Sequence, residues 1–158
     1  MSKLTCYGGA GRTTGANFLL DIGERKILID CGMEQGHGST ERNKQNFAYN
    51  PSSLDFLFVT HAHIDHIGLI PKLYREGFRG AIYSTEETKE IALLLLQDAA
   101  KIGANDNEPL YTYDDIEGAM SLWQTLPYHK EKDFDGFKVE LFDAGHVLGS
   151  SLIKFKFA

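Results

Sequence analysis

The chain has 158 residues, 42% hydrophobic and 24% charged, with a formal net charge of −6. That length suits one domain with a sizeable core rather than two, and the composition is that of an ordinary soluble globular protein. The acidic balance argues against strong non-specific binding of phosphate backbones by this chain alone, because such affinity comes from Lys and Arg. The leucine run Leu93-Leu94-Leu95-Leu96 stops at Gln97 and Asp98, far short of a membrane span.

In chain order, residues 3–7 alternate and predict a strand, and Gly8-Gly9-Ala10-Gly11 predicts a loop. Met1-Ser2-Lys3 leads directly into that strand, so no secretory leader and a cytoplasmic location are expected. Cys6 and Cys31 are expected as reduced, buried thiols; a metal role for Cys31, beside Asp30, ranks below core packing. Residues 17–22 and 26–30 predict two strands joined through Gly23-Glu24. Residues 32–53 are polar and irregular, with a short helix near 41–46; a stretch this long without regular structure is often functional.

Residues 55–60 predict a buried strand. A helix is predicted over 67–76, from Ile67, Ile70, Leu73 and Tyr74 and the closing Gly77. A short strand follows at 81–83. Ser84 with Glu87 reads as a capping box opening a helix that runs to Ile102 and stops at Gly103, with Ile91, Leu94, Leu95 and Ala99 facing the core. Thr112 with Asp115 caps a third helix reaching about Trp123. Residues 137–142 and Ser151–Phe157 predict strands flanking Gly145-His146. Interleaved strands and helices imply an α/β fold with a mixed sheet and flanking helices.

The run His61-Ala62-His63-Ile64-Asp65-His66 puts three imidazoles and a carboxylate in six residues, between a strand and a helix. Imidazole nitrogen suits zinc, and carboxylate oxygen can complete or bridge its shell. Accidental histidine tracts form runs or lie in low-complexity tails; this one sits between two patterned elements. His61 and His63, two apart in extended chain, point to one side and can grip one ion. Asp65 and His66 turn into the next helix and can reach a second. A histidine after a strand is by itself more often structural, but His146 lies in a glycine-flanked turn where backbone can approach a ligand closely; with it the first set would be three histidines, which leave one tetrahedral position open, as catalytic zinc requires. Asp30, ending its strand, can orient a ligand imidazole by hydrogen bonding. His37 and His129 read as surface residues, and Glu86-Glu87 and Asp114-Asp115 as solvated helix starts. Gly8 to Gly15 reads as a turn between strands rather than a phosphate cradle.

His-Ala-His-Ile-Asp-His resembles the signature of the metallo-β-lactamase-fold hydrolases. Residues 60–71, Gly77 to Thr88, Leu93 to Ala99, Ala144 to Ser150 and the opening Gly8 to Gly15 resemble the β-CASP branch, RNA-processing nucleases that include the cleavage and polyadenylation endonuclease subunit and its bacterial and archaeal relatives. The resemblance implies a four-layer αββα sandwich, of which this chain would supply mainly the first half. It also implies two zinc ions, held in part by His61, His63 and His146 and by Asp65 and His66, with Asp30 behind them. Catalysis centres on Asp65, and RNA phosphodiester cleavage by a metal-bound hydroxide is the expected activity.

Complete members of that branch carry a bridging aspartate beyond His146, a late histidine and an inserted β-CASP domain, to which no residue here is assigned. Residues 1–158 are accordingly expected to be the amino-terminal part of a metallo-β-lactamase domain. The second ion is expected only in the full-length parent, little or no catalysis is expected from these residues alone, and the cut sheet is expected to self-associate through residues 151–157. Two competing readings remain: hydrolysis of a small thioester, ester or lactam at the same metals, and a non-catalytic scaffold module for RNA processing.

Overall fold

The computed structural model describes residues 2–103 and 108–157. Six strands form one mixed sheet in sequence order: β1 (Lys3–Gly8), β2 (Asn17–Asp21), β3 (Lys26–Ile29), β4 (Phe56–Phe58), β5 (Ala81–Ser84) and β6 (Trp123–Thr125). The first three pair antiparallel and β3 to β6 parallel. A second, antiparallel sheet contains β7 (Lys132–Asp133), β8 (Phe137–Asp143) and β9 (Ser151–Phe157). Helices α1 (Ser39–Lys44), α2 (Ile64–Ile67), α3 (Ile70–Arg75), α4 (Glu86–Gly103) and α5 (Tyr113–Ser121) lie in the connections. Among the described residues no helix is long and apolar enough to cross a membrane.

The central parallel strands are apolar almost without interruption because both of their faces are covered. Leu28, Leu57 and Ile82 are register partners across β3, β4 and β5; they join Leu73, Leu96 and Ile116 in the core on the helical side. Ile27, Phe58 and Tyr83 point the other way and meet Phe134, Phe137, Val139 and Leu141 of the second sheet. That inter-sheet core is aromatic: Phe58 stacks on Tyr83 at 5.4 Å between ring centroids and takes the edges of Phe134 at 5.4 Å and Phe155 at 5.3 Å. The inner face of the first sheet is therefore covered by strands of this same chain. The terminal strand splits its apolar residues between faces. Phe155 and Phe157 lie opposite Val139 and Phe137, whereas Leu152 pairs with Phe142 on the outer face.

Several predicted elements differ in extent. The helix expected over 67–76 is confined to α3, and a separate short helix, α2, precedes it over Ile64–Ile67; Pro71 lacks the N–H that would join the two. The helix at 86–103 is opened by Thr85, whose hydroxyl accepts from Thr88 N–H at 3.3 Å. Ser84 instead belongs to β5 and accepts from the Trp123 indole N–H at 2.8 Å. That helix buries Thr88, Ala92, Leu96 and Ala100, while Leu94 and Leu95 are exposed; four consecutive leucines left the phase of the stripe ambiguous. The Thr112–Asp115 capping box forms as expected, but its helix ends at Ser121 and Trp123 begins β6. Cys31 is buried and Cys6, on the edge strand β1, is exposed.

Candidate metal centre

The carboxyl ends of the parallel strands, where ligands gather in open α/β sheets, carry most of the predicted site. Asp30 directly follows β3, the 60–66 run follows β4, and Thr85 follows β5. The ladder extends into these ends, with Asp30 N–H donating to Phe58 O at 2.9 Å and Val59 N–H to Tyr83 O at 2.9 Å.

The turn holding Ile64, Asp65 and His66 is fixed by backbone from two other segments. Ala16 N–H donates to Asp65 O at 2.8 Å, Cys31 N–H to His66 O at 2.8 Å and Met33 N–H to Ile64 O at 3.1 Å. The approach is close enough that a Cβ on Gly32 would overlap the Asp65 carbonyl, so the polar, irregular stretch that begins at Gly32 acts first as a brace for the metal loop. Lys72, buried beneath the Phe47 ring, holds that stretch further along by donating to the carbonyls of Asn43 (3.0 Å) and Gln45.

Three imidazoles converge. His61 Nε2 lies 3.1 Å from His63 Nδ1, and His146 Nε2 lies 3.2 Å from the same atom. The ligand atoms of the three all fall within 4.8 Å of one another. Two nitrogens bound to one tetrahedral zinc, each at about 2.0–2.1 Å, stand about 3.3 Å apart. The donor set and its spacing therefore fit a divalent metal ion.

The hydrogen bonds behind the trio dictate the tautomers. Asp30, buried, accepts from Thr60 N–H through Oδ1 at 2.8 Å, and from the Thr60 hydroxyl and His66 Nδ1–H through Oδ2, each at 2.8 Å. The Thr60 hydroxyl has spent its one hydrogen on a carboxylate, so at 3.0 Å it accepts from His61 Nδ1–H. His61 and His66 thus each keep an Nε2 lone pair for a ligand. Asp30 holds φ at 58°, the left-handed region that few residues other than glycine adopt; its three charge-assisted bonds fix it there.

Burial, then the neighbouring imidazoles of His66, His63 and His146, push His61 down to about 4, so it stays neutral. Burial pulls His66 the same way, but the hydrogen bond and charge of Asp30, with the charge of Asp65, outweigh it and leave His66 raised. His66 Nε2 lies 3.8 Å from Asp65 Oδ2 and its ring 4.0 Å from that of His61, so these two donors adjoin the trio without being part of it. Cys31 stands apart as a core thiol that burial pushes up. His37 and His129 are on the surface. Thr60 was not singled out from sequence, although a hydroxyl immediately before the first histidine was a signal; its partner Asp30 lies 30 positions away.

A mixed sheet flanked by helices, backed by a second sheet and bearing converging histidines at its strand ends, defines a metallo-hydrolase fold. Residues 10–152 match the metallo-beta-lactamase superfamily, and the chain belongs to it. Among known proteins it is 36% identical over 151 residues to Ribonuclease TTHA0252 of Thermus thermophilus, covering 96% of this chain and 34% of that protein. It is 37% identical over 158 residues to Transcription termination factor FttA of Cenarchaeum symbiosum (97% and 24%). It is 33% identical over 153 residues to Cleavage and polyadenylation specificity factor 73 of Drosophila melanogaster (95% and 22%). The chain thus spans about a third or less of the length of these relatives. The fold is shared with solved structures of lower identity, such as the metallo-beta-lactamase fold protein YhfI from Bacillus subtilis (TM-score 0.60, 18% identical, 98% of this chain and 57% of that one). Metal binding is normal for the family, and the histidine cluster matches it.

Proposed function

We propose that these residues form the metal-binding portion of a zinc-dependent ribonuclease. The observation that carries this reading is the convergence of His61 Nε2, His63 Nδ1 and His146 Nε2, in a chain 36% identical to a protein named as a ribonuclease. The trio would hold one zinc ion; Asp65 and His66 would contribute two donors to a second, with Asp65 the residue on which catalysis depends. An ion in such a site supplies Lewis acidity and an acidified water for displacement at phosphorus.

The chain's own residues do the positioning. Asp30 fixes the His66 ring and, through the Thr60 hydroxyl, the His61 ring, so that each ring when neutral aims its Nε2 lone pair at a ligand. Braced backbone holds Asp65 beside them. The residues that complete a second-ion site and guide RNA are proposed to lie in sequence outside these 158 residues.

Elemental analysis after zinc loading tests the metal reading, with His63→Ala as control because His63 is the shared neighbour of both other imidazoles. About one zinc in the wild-type chain and none in the folded variant is expected; equal, negligible zinc in both would overturn it. RNA and a thioester offered side to side to a protein containing these residues test the substrate. Chelator-sensitive cleavage of RNA, lost in Asp65→Ala, is expected, and thioester hydrolysis without RNA cleavage would overturn the ribonuclease reading.

A further inference from the structure

His146 reaches the metal trio from outside the first sheet, on the loop between β8 and β9, and sits 83 positions from His63. The loop is otherwise open: Ala144, Gly145, His146 and Leu148 are exposed. Its closing residues are not. Gly149 O accepts from the Thr85 hydroxyl at 2.7 Å and from the Thr88 hydroxyl at 2.9 Å. The two hydroxyls are 3.0 Å apart; each has one hydrogen, and the shorter distances send both to the carbonyl. Thr85 and Thr88 are fully or almost fully buried, at 2% and 0% exposure. Gly149 has φ of 80°, and a Cβ there would meet Thr88 N at 2.7 Å and both threonine hydroxyls at 2.8 Å. The first turn of α4 therefore grips one carbonyl of the loop with both acceptor sites of that oxygen filled.

From that carbonyl the chain runs straight to the histidine. Ser150 Oγ accepts from His146 N–H at 3.2 Å and from Val147 N–H at 3.1 Å. Ser150 O accepts from the Tyr128 hydroxyl at 2.8 Å, and Ser151 N–H donates to Thr60 O at 2.8 Å. The Thr85 hydroxyl caps α4 as an acceptor and Thr88, in the first turn, has no intrahelical need for its own, yet both donate their hydrogen to a segment more than 60 positions away.

We propose that Thr85 and Thr88 are positioning residues for the metal site. By holding Gly149 they set the loop at the height where His146 Nε2 meets His63 Nδ1. This inference rests on the metal reading above. Its experiment compares the Thr85→Val/Thr88→Val chain, isosteric but unable to donate, with the Thr85→Ser/Thr88→Ser chain, which keeps both hydroxyls. Two quantities are read: zinc affinity by competition with a chromophoric chelator, and hydrogen exchange of the His146 and Val147 amides in the zinc-free protein. The valine chain is expected to unfold cooperatively, to bind zinc about 10–100-fold more weakly, and to exchange those amides faster; the serine chain should stay near wild type in both. Where the double valine chain does not fold, the single variants, each leaving one donor on Gly149, carry the same comparison. A folded valine chain with wild-type zinc affinity would overturn the proposal, whatever its exchange rates. A wild-type chain that takes up no zinc would instead overturn the metal reading on which it stands.

Discussion

The two loops that supply the histidines are built on opposite principles. The loop after β4 is enclosed: its carbonyls are met by backbone N–H groups of Ala16, Cys31 and Met33, and its neighbour Gly32 has no room for a side chain. The loop between β8 and β9 is open at its tip, where Leu148 is 70% exposed, and is tied at its base by side-chain hydroxyls. One half of the site is thus a fixed platform and the other an arm whose reach is set by a few removable bonds. Disturbing the platform should damage fold and metal binding together, whereas disturbing the arm should damage metal binding at a smaller cost to the fold.

The largest effect is expected at Asp30, where platform and tautomer control meet. Asp30→Asn places an N–H₂ among donors that need an acceptor. It should lower stability by about 1–3 kcal/mol and zinc affinity about 10–100-fold, measured by denaturant unfolding and chelator competition; wild-type values in both would remove Asp30 from the site. A pair of glycines sharpens the contrast. Gly32→Ala drives a Cβ into the Asp65 carbonyl and should cost about 3 kcal/mol of stability, the upper end of ordinary overpacking, together with metal binding. Gly145→Ala meets nothing within 4 Å, so only its φ of 64° counts against it, at about 1 kcal/mol. Equal losses of stability in the two would break the distinction between platform and arm.

Acid should reveal the platform in the zinc-free protein. His61 is held down to about 4, from an ordinary 6.5. The unfolded chain takes up that proton as pH falls through 6.5, while the folded chain refuses it until about 4. Stability should therefore fall across that window and be free of this penalty above 6.5. His66 has the opposite sign: its raised pKa adds stability at low pH that is lost as pH rises through that value. Comparing wild type with His61→Gln isolates the first contribution, and the variant should lose less stability between pH 6.5 and 4. An identical loss would place His61 elsewhere than in the enclosed platform.

The smallest effect concerns β9. Its outer edge is unpaired among the described residues, and Lys154 and Lys156, which would discourage another strand, are engaged by Glu140 and Glu131. Weak self-association is expected in light scattering across a concentration series, reduced by Leu152→Lys; a monomer of 17.7 kDa throughout would exclude it.

Much of this molecule was legible because its signals are local. The His61 to His66 run, the apolar strands at 26–30 and 55–60, and the Thr112–Asp115 box each carry their meaning within a few residues. What escaped depends on distant partners or on too few residues to show a period. Strands β6 and β7 have three and two residues and exist through pairing. The break between α2 and α3 follows Pro71, but a close fit also shapes it: a Cβ on Gly68 would meet Met33 Cβ at 2.6 Å. Thr60 looked like the end of a strand, and Thr85 and Thr88 like the start of a helix. Their hydroxyls matter because the fold delivers Asp30 and Gly149 to them.

The aromatic seam between the sheets has a counterpart at its rim. His61 and His63 extend from the six-stranded sheet and His146 from the three-stranded one, so an ion held by all three would be a cross-link between two sheets joined elsewhere by packing and a few hydrogen bonds. It closes a loop of more than eighty residues in the native state only, and any ligand that binds the native state alone raises its stability by mass action. An ion held there would add its binding free energy to that of the aromatic seam, so stripping it should lower the stability of the whole sandwich rather than of one loop.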